Sequence, residues 1–362
     1  MPPIFRRLPG VGWRPTNRPE LPSGKPVIFK RPLRFTQWRA AANSVFLPLE
    51  GLPVVPLGAR DIPPMVNRLF ESSRVSQSLG ETGTARSARS SRLRVGAVQY
   101  LNTKPLVHGL AAHGFPFGVD LPSRLADRLA SGQLDVALIP SIELFRGDRY
   151  RVVSDACIAC RGPVMSVKLF FRTQPGRVAR LAVDEGSRTS ATLARILLAE
   201  RFGVRPQVEV LPIGAGLADT PADAVLLIGD RAIGSQAGSF QLIWDLGDEW
   251  CRWMGLPFVF AVWAARRDVP AAELARIEPL LALSRDSGRA HLASIAAAEA
   301  ASHGLTVPQC LSYLRDNLHY CLGRQERRSL AAFYHHASRL ALAPTDLDIA
   351  GTLAPTPAIP SP

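Results

Sequence analysis

The chain has little sulfur and little imidazole. Its 362 residues include five Cys, four Met and seven His. An odd number of Cys scattered over so long a chain is not a disulfide framework. Cys157 and Cys160 form a CxxC, but no second Cys or His pair follows at zinc-finger spacing. Inside an apolar run, two buried thiols are the ordinary reading of such a pair, ahead of metal or redox use. No run of about 18 uncharged apolar residues exists, so no membrane insertion is expected. Also missing are G-x-G-x-x-G, a Walker loop, H-E-x-x-H and G-x-S-x-G. Those patterns would mark a dinucleotide, a nucleotide phosphate, a catalytic zinc or a hydrolase nucleophile. No cofactor and no metal are therefore expected.

What is present is a globular composition, 47% hydrophobic and 20% charged, on a chain long enough for two domains. The net charge of +13 is unevenly spread. Residues 1–92 hold 15 Lys/Arg against 5 Asp/Glu, and residues 93–362 hold 28 against 25. The basic balance thus belongs mainly to the N-terminal segment, and nothing in the rest argues for a nucleic-acid partner. Residues 1–92 also hold 13 of the 31 Pro, show no sustained period and end in SARSSR. They read as a basic Pro/Ser/Arg-rich extension: a disordered tail, an interaction or targeting arm, or the product of a start assigned too far upstream. No apolar h-region follows the early Arg residues, so a secretory signal is not expected and the cytoplasm is the expected compartment.

From Leu93 onward strands and helices alternate. LRVGAVQ reads as a strand, 103–113 as a helix and 115–121 as extended. Ser123 reads as the N-cap of RLADRLASG. LDVALIP, ARLAVDE and DAVLLIGD are continuous apolar strands, of the kind buried on both faces of a parallel sheet. Residues 187–203 read as a helix stopped by Gly203. From 270 to about 341 the chain reads as almost wholly helical. The pattern predicts two α/β lobes. The first is 93–172 plus 258–345, the second 173–257, and 346–362 is a disordered tail.

In open α/β sheets a ligand sits beyond the carboxyl ends of the strands. Here those ends carry Asn102-Thr103, Ser141, and Ser187, Thr189 and Ser190. The last three enter a helix whose first turn offers free N–H groups to an anion. Arg161-Gly162 adds a planar cation beside a residue that permits close approach. Taken singly, a Ser or Asn before a helix is usually a cap, and an Arg is usually a salt bridge. Their recurrence at successive strand ends points instead to a site for a small anion, held without metal, nucleotide or catalytic triad. This much fits an enzyme or a solute-binding protein equally.

The motifs VGAVQYLNTKPL, IPSIE, ACIACRGPVMSVKLFF, AVDEGSRTSATLARILL, DAVLLIGD and DLGDEWCRWMGLPFVFAVWAAR, in that order, resemble the chorismate dehydratase family of menaquinone biosynthesis, enzymes of the futalosine route. The resemblance covers about residues 93–340. It implies a type II periplasmic-binding-protein-like fold, two α/β lobes with the ligand cleft between them. It also implies conversion of chorismate to 3-[(1-carboxyvinyl)oxy]benzoate and water, with the substrate's own enolpyruvyl carboxylate able to act as base. By the same resemblance the Asn of the YLN motif is Asn102, holding the leaving hydroxyl or the developing charge. The Ser of GPVMSV is Ser166, orienting the substrate. Ser141, Arg161, Ser187, Thr189 and Ser190 are assigned to the carboxylates by position and chemistry, with Thr103 and Gly162 beside them. Cys160 stands where a Ser is expected, which puts one contact in doubt. Two other readings stay open: the sister enzyme that makes 1,4-dihydroxy-6-naphthoate from a cyclic futalosine derivative, and a solute receptor of the same fold. The oligomeric state is not readable.

Overall fold

The computed structural model describes residues 93–234, 238 and 240–353. All of them belong to the compact unit Ala85–Pro362. The expectations for residues 1–92 and for 354–362 lie outside the described residues.

Two sheets organise this unit. The first contains β1 (Val95–Val98), β2 (Phe117–Asp120), β3 (Val136–Pro140) and β4 (Tyr150–Cys160). The second contains β5 (Val167–Phe171), β6 (Arg180–Asp184), β7 (Gln207–Leu211), β8 (Ala224–Ile228) and β9 (Leu242–Asp245). The chain then returns to the first sheet with β10 (Phe258–Arg266) and, near its end, β11 (His319–Cys321). The spatial orders are β11-β4-β10-β3-β1-β2 and β7-β6-β8-β5-β9. β1 runs parallel to β2 and β3, and β6 parallel to β7 and β8, while β10 is antiparallel to both its neighbours. The runs VALIP and AVLLI are wholly buried, as continuous apolar strands covered on both faces must be.

Helices pack on these sheets: α1 (Pro122–Ala130), α2 (Thr189–Phe202), α3 (Asp230–Ile233), α4 (Leu246–Met254), α5 (Ala271–Ala290), α6 (Leu292–Glu299), α7 (Val307–Ser312), α8 (Arg324–Arg339) and α9 (Ile349–Leu353). α2 stops at Gly203 and α4 at Gly255, both in the left-handed conformation that lets backbone N–H groups close the last turn. α4 starts at Asp245, whose side chain accepts from Asp248 N at 3.1 Å. Trp250 of α4 is fully buried and donates to Ser329 of α8 at 3.0 Å, tying the C-terminal helices to the core.

Several local expectations need correction. The helix expected over 103–113 is a 3-10 turn, Leu101–Val107, with Pro105 inside it. Gly109 and Gly114 then take positive φ, so no α-helix propagates. Asn102 is therefore inside the turn. Tyr100 holds the cap position and makes no side-chain cap bond. Ser123 likewise lies inside α1, where Pro122 takes the first position and Leu121 the cap. β5 pairs with β8 and β9, so the second sheet begins at Val167, ahead of the expected boundary at 173. The helical tail contains the short strand β11, an edge partner of β4. The expected disordered tail from 346 includes α9, whose Thr352 and Leu353 are buried.

One contact sets the position of the 3-10 turn. A Cβ at Gly288 of α5 would fall 2.0 Å from the Pro105 carbonyl oxygen and 2.6 Å from its carbonyl carbon and Cα. Glycine is what allows α5 to lie directly on the backbone of the turn that carries Asn102.

Candidate active site

The ends of β1, β3, β6 and β8 and the start of β5 converge on a cleft between the two lobes. Val98, Ile158 and Phe260 give it an apolar floor, and Asn102, Ser166, Ser187, Arg188, Thr189 and Ser190 line it with polar groups. The described lining residues include two ionisable side chains, Tyr100 and Arg188, and no Asp, Glu or His. Among the described residues no group of three His, Cys, Asp or Glu side chains converges at metal-binding distance.

Asn102 reaches the cleft from the first lobe. Its Oδ1 accepts from Thr103 Oγ1 at 3.3 Å, which leaves the amide N–H groups for other partners. Thr103 does not line the cleft, and its hydroxyl orients Asn102 from behind.

Ser166 is held by its backbone. Asp245 accepts from Val164 N at 3.0 Å and from Met165 N at 2.7 Å, and Gly229 N donates to Ser166 O at 2.8 Å. Met165 has φ 61, a conformation that costs a non-glycine residue roughly 1–2 kcal/mol. The clamp by Asp245 holds that strained turn next to the cleft. Burial pushes the Asp245 carboxyl above its ordinary range, against the three N–H groups it accepts. Ser166 Oγ is buried and has no hydrogen-bond partner of good geometry.

The EGSRTS turn supplies the opposite wall. Ser187 Oγ is also buried without a partner. Thr189 and Ser190 open α2, whose first turn carries no acidic residue and no side-chain cap. Its orphan N–H groups and the helix dipole favour an anion there.

The structure separates the other expected residues from this cleft. Ser141 is fully buried and donates to Val259 O at 2.7 Å, so its proton is committed to the first sheet. Its Oγ lies 3.4 Å from Thr189 Oγ1, which also accepts from Ile142 N at 3.2 Å. Ser141 thus belongs to a polar clasp behind α2. Arg161 does not line the cleft either. Its Nη2 lies 3.0 Å from Glu326 Oε1, and Glu326, 1% exposed, also accepts from Gly323 N at the start of α8. Arg161 is committed to that ion pair, and Gly162 follows it outside the cleft. Cys160 is fully buried, with its sulfur against Gly247, where an added Cβ would sit 2.5 Å away. The Ser-to-Cys departure therefore concerns packing.

Arg188 is the cleft residue that the sequence reading passed over. It stands inside the motif that supplied Ser187 and Thr189. Its guanidinium bridges Asp127 of α1 at 2.7 Å and Glu143, after β3, at 3.2 Å, so it joins the two lobes beside the site. Tyr100 was missed as well. Its buried hydroxyl has no partner, and burial, with Asp184 and Asp230 nearby, pushes the phenol pKa up and keeps it protonated. Across the lobes, Leu101 N donates to Asp230 Oδ1 at 3.1 Å, and His303 Nε2 lies 3.4 Å from Asp230 Oδ2.

Residues 93–339 match the menaquinone biosynthesis family. Over 257 residues the chain is 34% identical to the chorismate dehydratase of Thermus thermophilus, covering 66% of this chain and 93% of that one. Its fold is similar to that of a protein from Archaeoglobus fulgidus, with a TM-score of 0.59, 17% identity, and coverage of 69% of this chain and 98% of the other. It is also similar to the alkanesulfonate-binding protein SsuA from Xanthomonas axonopodis pv. citri, with a TM-score of 0.52, 16% identity, and coverage of 72% and 96%. At such identities these two likenesses bear on the fold alone: a periplasmic-binding-protein-like fold of two α/β lobes.

Proposed function

The chain belongs to the menaquinone biosynthesis family, and from that premise we propose how its cleft carries out the dehydration of chorismate to 3-[(1-carboxyvinyl)oxy]benzoate, the first step of the futalosine route. The protein is an enzyme, a hydro-lyase acting on a small molecule. The observation that carries the mechanism is the inventory of the cleft. Its described lining has hydroxyls, an amide, a helix N-terminus and one Arg, but no carboxylate or imidazole to take a proton. A substrate with two carboxylates meets that want from its own side. One carboxylate sits against donors, and the enolpyruvyl carboxylate removes the ring proton. The electron pair left by that C–H bond enters the ring, the C–O bond to the ring hydroxyl breaks, and the departing hydroxide takes the abstracted proton back from the carboxylate and leaves as water. Aromatisation drives the step.

The roles follow from placement. The α2 N-terminus with Ser187, Thr189 and Ser190 binds a carboxylate. Asn102, with Oδ1 turned to Thr103, offers its N–H groups to the leaving oxygen or the charge that grows with it. Ser166 orients the ring. Arg188 holds the lobes around the substrate. The same reading puts the enzyme in the cytoplasm and gives it no nucleic-acid partner.

The test is direct. Purified protein mixed with chorismate should form the benzoate with no added cofactor, followed by loss of chorismate and appearance of an aromatic product. Chorismate bound but unchanged would make the cleft that of a receptor, and no interaction at all would remove the assignment of substrate.

A further inference from the structure

Tyr313 opens the π-helical turn Tyr313–Asn317, directly after α7. Such turns are rare and gather at functional sites. Its side chain is fully buried. Its hydroxyl faces Ser166 and Asn102, the two side chains reaching the cleft from the loop just before β5 and from the 3-10 turn. None of these contacts reaches good hydrogen-bond geometry, so Tyr313 Oη and Ser166 Oγ are both buried and uncommitted. The turn is fastened beside them, because Asn317 Nδ2 donates to Pro163 O at 2.9 Å, in the loop that leads to Ser166. Burial pushes the Tyr313 phenol pKa up, against Ser166 and Asn102, so the group is a neutral hydroxyl that can both donate and accept.

A buried tyrosine hydroxyl with no partner carries a desolvation penalty that phenylalanine would avoid. Here the hydroxyl stands between two cleft residues, one of which, Ser166, shares its lack of a partner. We propose that Tyr313 is a positioning residue: its hydroxyl sets the orientation of Ser166 Oγ and the Asn102 amide toward the substrate. The catalytic part of this proposal rests on the dehydratase reading. The geometric part does not.

The experiment uses Tyr313→Phe in the full chain, alongside wild type. The expected result is a cooperative melt at or above the wild-type temperature, with kcat on chorismate at least about tenfold lower and KM within about twofold, as for an interaction used in the transition state. In a Ser166→Ala background the same change should cost much less, because residues acting as a unit are non-additive. Full turnover by Tyr313→Phe, or an equal loss in both backgrounds, overturns the proposal. A readout independent of turnover is the Asn102 side-chain amide in NMR, assigned by its disappearance in Asn102→Asp. Tyr313→Phe should move it, and an unmoved signal overturns the proposal. If wild type fails on chorismate, the dehydratase reading falls by itself and the amide signal still decides the role of Tyr313.

Discussion

Gly229 lies against the face of Tyr100. A Cβ at Gly229 would come within 2.7 Å of three atoms of the ring. Gly229 also has φ 61 and ψ −146, a backbone conformation essentially reserved for glycine. The contact brings the end of β8 onto the end of β1, one residue before Leu101 N meets Asp230. Gly229→Ala should lose about 2 kcal/mol or more of stability, from backbone strain and overpacking together. It should also lose most turnover, since the Tyr100–Asn102 turn must shift. Gly118→Ala is the control, because a Cβ there meets nothing within 4 Å. A Gly229→Ala melt indistinguishable from that of Gly118→Ala would refute the contact.

Asn102 does not cap a helix, so its substitution separates chemistry from folding. Asn102→Asp keeps the oxygen that accepts from Thr103 but replaces the donor N–H groups with a charge facing a dianion. Loss of one oriented donor costs about 10²–10³ in rate. Asn102→Asp should melt cooperatively and turn chorismate over at least about a hundredfold more slowly. Near-normal turnover would remove Asn102 from the chemistry and leave Ser166 as the first residue to test.

Arg161 offers a contrast between a binding role and a structural one. Without it, Glu326 keeps the Gly323 N–H and a neighbouring His319 but loses its cation. Removing one partner of a fully buried pair costs about 3–5 kcal/mol. Arg161 is 56% exposed, so the loss here should be smaller. Arg161→Ala should lower the melting temperature and leave KM for chorismate within about twofold. An unchanged melt with a KM raised about tenfold would return Arg161 to the substrate.

Asp230 gives a pH signature. Burial raises its carboxyl pKa above the ordinary value, against the Leu101 N–H and His303. The folded chain therefore holds that proton more tightly than the unfolded chain. Between the unfolded value, about 3.9, and the raised folded value, this group makes stability fall as pH rises. Asp230→Asn keeps an oxygen for Leu101 N and has no charge to desolvate. Its stability relative to wild type should grow as pH climbs from about 4 through the raised value and then level off. Denaturant melts across that range measure it, and a difference that does not vary with pH would refute the raised carboxyl.

The sheets were legible because their signal is local. VALIP and AVLLI are too apolar for anything but a covered strand. The polar wall Ser187–Ser190 was legible for the same reason, as a Ser/Thr run between a strand and a helix. The 3-10 turn was not, because its apolar spacing imitates a helix and only Pro105 with Gly109 argues otherwise. The ion pair of Arg161 was not legible because its partner, Glu326, is far away in the chain. β5 was assigned to the wrong lobe because strand pairing leaves no mark on composition. Tyr313 carried no local signal, being one apolar-looking residue in a helical stretch whose neighbours are set by tertiary packing. Arg188 could have been found, as the cation embedded in the Ser/Thr turn that opens α2.

The place of β10 in the first sheet has a consequence in time. Both neighbours of β4, namely β10 and β11, lie later in the chain than every strand of the second sheet. A chain emerging from the ribosome at about 5–20 residues per second therefore completes Val167–Asp245 while β4 still has an unpaired edge on each side. The lobe bearing Ser187, Thr189 and Ser190 can close first, as one uninterrupted segment. The Asn102 wall waits longer, because the glycine that seats its turn, Gly288, is made after β10 itself. Half of the cleft is thus an early structure and half a late one, and a chain arrested before Phe258 would carry the Ser187–Ser190 wall with nothing to close against.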